Sequence, residues 1–296
     1  MKFWSRSLVA AVLVLAAFPA LALDKTVGVI LLTKTHQFTR DLADEILDHA
    51  PDFGIRLEVQ YAEFDLEKQS RIIDDFIARK VDAVLLTPVD SLRIDPAIAR
   101  LNRAGIPVFT VDIANEGPRG SVICHIASDN FQGGGVAASL LAEGLKGRGN
   151  VVIINHPKVT SVQQRVEGFR KGLSSWPGIR IVADIPSWGQ RPRAQSIMDD
   201  FMLMMPDIQG VFAINDDSVM GALKSLQTAG RAGTVVLVGY DGTPEVRAEI
   251  DKKQVFGDVV QYPRELARQS LKVMADYFLG RSVPKEVSIP TGVVRQ

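Results

Sequence analysis

The sequence predicts an α/β protein of two similar lobes, each a doubly wound parallel sheet. Three observations carry this. Short apolar runs alternate with amphipathic ones from Val27 onward, the alternation restarts after Gly149, and several apolar runs end in polar side chains. The first is the pattern of parallel strands covered by helices on both faces. The second shows one design used twice. The third puts polar groups at the carboxyl ends of strands, where an open parallel sheet forms its ligand crevice.

The elements follow in order. Residues 1–22 open with Lys2 and Arg6, continue through an apolar stretch at 8–18 and end in Ala20-Leu21-Ala22. They read as a secretory signal peptide cleaved near Ala22, since the apolar stretch is too short to span a membrane. Strands are then expected at 27–32, 56–61, 83–87, 108–111 and 122–126, with helices at 40–49, 66–79 and 95–104 between them. Asp65 and Ser91 stand where the second and third of these helices need caps, and Gly54 and Gly105 where the first and third stop. After Gly149, strands are expected at 151–155, 179–185, 210–213, 235–239 and 257–261, and helices at 161–176, 193–205, 218–229, 244–252 and 264–278. No Pro/Gly/Ser-rich or charged linker separates the halves, so their join is not a flexible tether.

Composition narrows the function. Lys+Arg and Asp+Glu are 34 each, a net charge of +0, which excludes the broad basic field of a nucleic-acid binder. Cys124 is the only cysteine, so no intrachain disulfide forms and no lipid-bearing cysteine follows the signal. The chain contains no Gly-x-Ser-x-Gly elbow, no phosphate-cradling loop and no Gly-x-Gly-x-x-Gly turn. His36, His49, His125 and His156 are dispersed, so neither a metal nor a cofactor is expected. Gly133-Gly134-Gly135 falls inside the helix expected after Asn130, where small residues allow close packing at the domain junction. Met202-Leu203-Met204-Met205 reads as core filling.

The strand ends carry the chemistry. Val211-Phe212-Ala213-Ile214 runs into Asn215-Asp216-Asp217, and Val235-Val236-Leu237-Val238-Gly239 into Tyr240-Asp241-Gly242. An amide donates and accepts while a carboxylate accepts, so Asn215 and Asp241 suit the vicinal hydroxyls of a sugar or polyol. Helix capping is the competing use, and Asp216 and Asp217 are better placed for it. In the first half, Ile106-Pro107-Val108-Phe109-Thr110-Val111 ends in Asp112.

These segments, with His125-Ile126-Ala127-Ser128-Asp129-Asn130, resemble the periplasmic ribose-binding proteins and their sugar-binding relatives, over about Thr26 to Gln296. The resemblance implies the type I periplasmic binding protein fold, with the two lobes joined by a three-strand hinge. The chain would cross near Ala127-Ser128, Gln261-Tyr262 and Pro290. The lobes are then 23–127 with 262–289, and 128–261 with 290–296.

By resemblance, Asp112 matches the family's sugar-binding aspartate, Asn215 and Asp241 two further ligand residues, and Gln261 a hinge-proximal glutamine. Ile113 replaces an arginine. Leu32, His36 and Phe38 stand where the family has a polar side chain, an asparagine and aromatics. His36 is either a donor to a hydroxyl or a solvated loop histidine; Phe38 either stacks on a sugar ring or packs in the core. The family's ligand-facing arginine aligns with Gln163, leaving Arg165 as its substitute or as a domain-stabilising charge. Trp188 fits a second stacking aromatic or covers the sheet edge, and Tyr240 lies either near the ligand or in the core.

The implied function is non-enzymatic. A monomeric periplasmic protein closes its lobes on a neutral sugar or polyol-like ligand and delivers it to the permease of an ABC importer. A sensory role, presenting the closed form to a chemoreceptor or sensor kinase, is the alternative. A LacI-type regulator would need a basic headpiece where this chain has its signal. A periplasmic hydrolase or isomerase would have to turn over the bound compound.

Overall fold

The computed structural model describes residues 23–205 and 207–296. The signal peptide expected at 1–22 lies outside the described residues. Five strands open the chain: β1 (Lys25–Leu31), β2 (Ile55–Tyr61), β3 (Ala83–Leu86), β4 (Val108–Val111) and β5 (His125–Ser128). Five more follow: β6 (Arg148–Asn155), β7 (Gly178–Pro186), β8 (Gly210–Ala213), β9 (Val236–Asp241) and β10 (Gly257–Val260). The last two, β11 (Glu286–Ile289) and β12 (Gly292–Arg295), join different sheets. One sheet has the order β11-β5-β4-β3-β1-β2, the other β12-β10-β9-β8-β6-β7. All neighbours are parallel except β10 and β12.

The helices are α1 (Gln37–His49), α2 (Leu66–Arg79), α3 (Asp95–Arg103), α4 (Asn130–Gly144), α5 (Thr160–Leu173), α6 (Arg191–Met204), α7 (Asp216–Thr228), α8 (Pro244–Asp251) and α9 (Pro263–Phe278). Strand alternation gives each sheet two cores. In the first lobe Val27, Val29 and Leu31 pack towards α1 and α9, while Ile30 meets Ile73 and Phe76 of α2 and Ile98 of α3. In the second lobe Val151 and Ile153 pack towards α4 and α5, while Val152 and Ile154 meet α6 and α7. No described helix is long and apolar enough to cross a membrane.

Asp65 caps α2 as expected, its Oδ1 accepting from Glu67 N and Lys68 N at 2.8 and 2.9 Å. Ser91 does not cap α3. That helix begins at Asp95 with a proline in its first turn, and Ser91 Oγ instead accepts from Thr160 N of the other lobe at 3.0 Å. The fifth strand begins three residues later than expected, because Val122 and Ile123 belong to the connection leading into it. The glycine run sits within the second lobe and not at the lobe junction. A Cβ on Gly134 would lie 2.1 Å from Arg165 O, and one on Gly168 2.0 Å from Phe131 O, so α4 and α5 touch backbone to backbone. The methionine run fills the core only in part: Met202 and Met205 pack against the second lobe's core, while Leu203 and Met204 are 85% and 70% exposed at the end of α6. Cys124 is a buried free thiol.

The chain passes between the sheets after Ser128, after Val260 and after Ile289. These passages are bonded to one another: Asp129 N donates to Ile289 O at 2.7 Å, and Ser128 Oγ to Gln261 Oε1 at 2.7 Å. The lobes also touch directly. Ser91 N donates to Lys158 O at 3.0 Å, and Ala114 N to Thr160 Oγ1 at 2.8 Å.

Candidate ligand-binding cleft between the lobes

A cleft of about 50 Å³ lies between the sheets. Its polar side chains come from strand ends. Asp112 follows β4, Asn215 lies just beyond β8, Asp241 ends β9 and Gln261 follows β10. Parallel strands direct their carboxyl ends to one side, so one rule of topology collects residues far apart in sequence.

Arg165 organises this group from α5. Its Nε donates to Asn130 Oδ1 and its Nη1 to Ile214 O, both at 2.8 Å, and its guanidinium lies 3.8 Å from the Tyr240 ring centroid. Held there, it sits 3.7 Å from Asp241 Oδ1 and 3.9 Å from Asp112 Oδ1, the latter across the lobes. Among the described residues lining the cleft it is the only Lys or Arg.

Asp112 has a left-handed backbone, φ 66°, and its buried Oδ1 has no protein donor. Burial pushes its carboxyl up to about 6, with Arg165 opposing. Asp241 Oδ1 accepts from Gln261 Nε2 at 2.9 Å and its Oδ2 from Asp216 N at 3.3 Å. Burial raises this carboxyl well above its usual range, again against Arg165.

Asn215 has two uses at once. Its Oδ1 accepts from Ser218 N at 3.1 Å, capping α7, and its Nδ2 donates to Gly189 O at 3.1 Å. The cap expected of Asp216 or Asp217 therefore falls to Asn215. Asp216 Oδ2 accepts from Thr243 N at 2.7 Å, and Asp217 pairs with Arg191 at 3.2 Å.

His36 precedes α1 and is buried, not solvated. Its Nε2 is 3.8 Å from Asp217 Oδ2 of the other lobe and its ring meets Phe64 edge-on at 5.0 Å. Burial lowers its pKa, with Asp217 opposing. Phe38 both lines the cleft and packs in the first lobe's core. Trp188, at φ 59°, lines the cleft with its ring edge-on to His156 at 5.7 Å. Ile113 lines it too, at 2% exposure.

Two expected site residues are elsewhere. Gln163 is exposed on the outside of α5, where its Nε2 donates to Pro157 O at 3.0 Å. Two helical steps rotate a side chain by about 200°, so Gln163 and Arg165 cannot face the same space. Tyr240 is fully buried and absent from the cleft wall. It neighbours Asp241 on a strand, and successive side chains point to opposite faces. Several lining residues escaped the sequence reading, among them Phe64 after β2, His156 after β6, and Val159, Ser161 and Val162 at the start of α5. The strand-end rule that singled out Asp112 and Asn215 finds His156 directly after β6, whereas Phe64, apolar and three residues beyond β2, carries no such signal.

A family model described as the periplasmic binding protein domain matches residues 27–282. The chain belongs to that family. Among relatives of this periplasmic binding protein, the ribose import binding protein of Salmonella typhimurium is 29% identical over 97% of both chains. The D-allose-binding periplasmic protein of Escherichia coli is 26% identical over 93% of this chain and 90% of that one. A solute-binding protein of an ABC transporter from Agrobacterium vitis, bound with α-D-tagatopyranose, superposes with TM-score 0.87 at 27% identity, covering 92% of this chain and 94% of that one. The Caulobacter myo-inositol binding protein, bound to myo-inositol, gives TM-score 0.86 at 26% identity, covering 92% and 93%. The two-lobed sheet architecture of this periplasmic binding protein is that of the type I fold.

Proposed function

We propose that this protein captures a neutral sugar or polyol between its lobes by hinge closure and delivers it to an ABC importer. The observation that carries the reading is the ring of ligand-ready groups around Arg165: Asp112 from one lobe, Asn215 and Asp241 from the other, and Gln261 at a crossing. The relatives named for ribose and D-allose, and the solved structures holding tagatose and myo-inositol, support the same ligand class. Neutrality follows from charge. The single lining guanidinium is already committed to two carboxyl groups, so an anionic guest would find no free cation to pair with. A ligand touching both lobes favours closure because only the closed form offers both sets of contacts.

In this reading residues 1–22 are a signal cleaved near Ala22, leaving a periplasmic monomer. One lobe comprises 23–127 with 262–289, the other 128–261 with 290–296. Its partner is the permease, and the ligand leaves chemically unchanged. Calorimetric titration of the mature protein against neutral pentoses, hexoses and polyols tests this, with recovery of the bound compound. Dissociation constants on the order of micromolar or lower are expected. Tight binding confined to sugar acids or phosphates, or turnover of the guest, would reject it.

A further inference from the structure

We infer that the cleft selects a sugar or polyol with an unhydroxylated carbon, a deoxy or methyl position, held against Ile113, Leu32, Val159 and Val162. This deepens, and rests on, the sugar or polyol reading above. Ile113 and Leu32 belong to the first lobe, yet both pack into the second lobe's core with Val159 and Val162. All four also line the cleft. They form an apolar wall shared by the two lobes, distinct from the polar group around Arg165.

The backbone N–H groups and the side-chain amide next to the wall are already bonded within the protein. Ile113 N donates to Val111 O at 2.8 Å, and Ala114 N is taken by Thr160 Oγ1 at 2.8 Å. Gln163, the amide next to Val162, is turned outward to Pro157 O. Ser161 and Val162 lie four and three residues before Arg165, so the wall adjoins the polar group along α5, with Ser161 at its border. A ligand hydroxyl pressed on the wall would lose water and find no partner. A methyl or methylene at the same point replaces water with apolar contact. Apolar pockets reject an added hydroxyl by about ten- to a hundredfold.

The test is calorimetry on the mature protein with matched pairs: 6-deoxygalactose and galactose, 6-deoxymannose and mannose, 5-deoxyribose and ribose. In the pair that binds best, the deoxy member should bind at least about tenfold more tightly than its parent. Ile113→Asn, which offers an amide at the wall, should erase or reverse that ratio. Val162→Thr, isosteric and exchanging one methyl for a hydroxyl, should narrow it and guards against a folding defect in the first variant. Parents binding as tightly as their deoxy partners, or binding confined to fully hydroxylated compounds, overturns this inference and leaves the proposed function standing. Failure of every neutral compound overturns both.

Discussion

Arg165 sets the terms for every polar residue near it, and the variants around it separate ligand contact from support. Asp241→Asn keeps the shape of the side chain but exchanges one carboxyl oxygen for an amide donor. Affinity should fall by about 10- to 100-fold while the melting temperature holds, as measured by titration and scanning calorimetry. Tyr240→Phe is the control. The hydroxyl removed is buried and has no partner, so affinity should be unchanged and stability neutral to higher by up to about 1 kcal/mol. A loss of affinity there would contradict its position behind the cleft.

Acidity supplies a second residue-scale test. Asp216 and Asp258 flank Gly239, each with an Oδ1 that no donor satisfies, so a proton held between them supplies the missing bond. Burial, and then the charge of Asp241, push Asp258 up to about 7 from an ordinary 3.8. The folded chain therefore holds a proton that the unfolded chain releases across that window. The stability this contributes is full at low pH and is lost as pH rises to about 7. Relative to wild type, Asp258→Asn should gain melting temperature between about pH 4 and pH 7 and keep that gain above it. A constant offset across that range would exclude the shared proton. None of this pairing was legible in the sequence. Asp112, Asn215 and Asp241 were, because a strand end is a local signal, whereas the choice of Arg165 over Gln163 depends on how α5 rolls against α4.

At the scale of elements, that roll is set by glycine. Gly168→Ala would force α5 off the carbonyl of Phe131 and carry Arg165 with it, costing about 1–3 kcal/mol and lowering affinity as well. Gly135→Ala meets nothing within 4 Å and should stabilise by about 0.5–1 kcal/mol. Chemical denaturation of the two variants checks the contrast, and equal effects would refute the close approach. Helix positions were readable in advance because burial follows the 3.6-residue period, as at Ile72, Ile73 and Phe76 of α2. Boundaries fixed by distant partners were not. Ser91 bonds a residue 69 positions away, and the register of β5 is set by its neighbours β4 and β11.

For the whole molecule, the direct contacts between lobes matter as much as the crossings. Ala114 N donates to Thr160 Oγ1 and so joins the lobes directly. Thr160→Ala should therefore weaken closure by about 1 kcal/mol, lowering affinity up to about fivefold and by the same factor for every guest. Small-angle scattering should show a larger free form. A loss confined to some guests would mean that Thr160 contacts the ligand. The twofold sheet design was plain from the restart after Gly149, but the pairing of β11 with one sheet and β12 with the other follows from tertiary contacts that no local pattern encodes. The solitary thiol of Cys124 has a consequence of another kind. It is enclosed in the first lobe's core, and burial pushes its pKa up to about 11, so it stays protonated and a poor nucleophile. Folding thus requires neither an oxidant nor a disulfide isomerase, and the polypeptide should attain the same conformation in a glutathione-rich cytosol as outside the inner membrane.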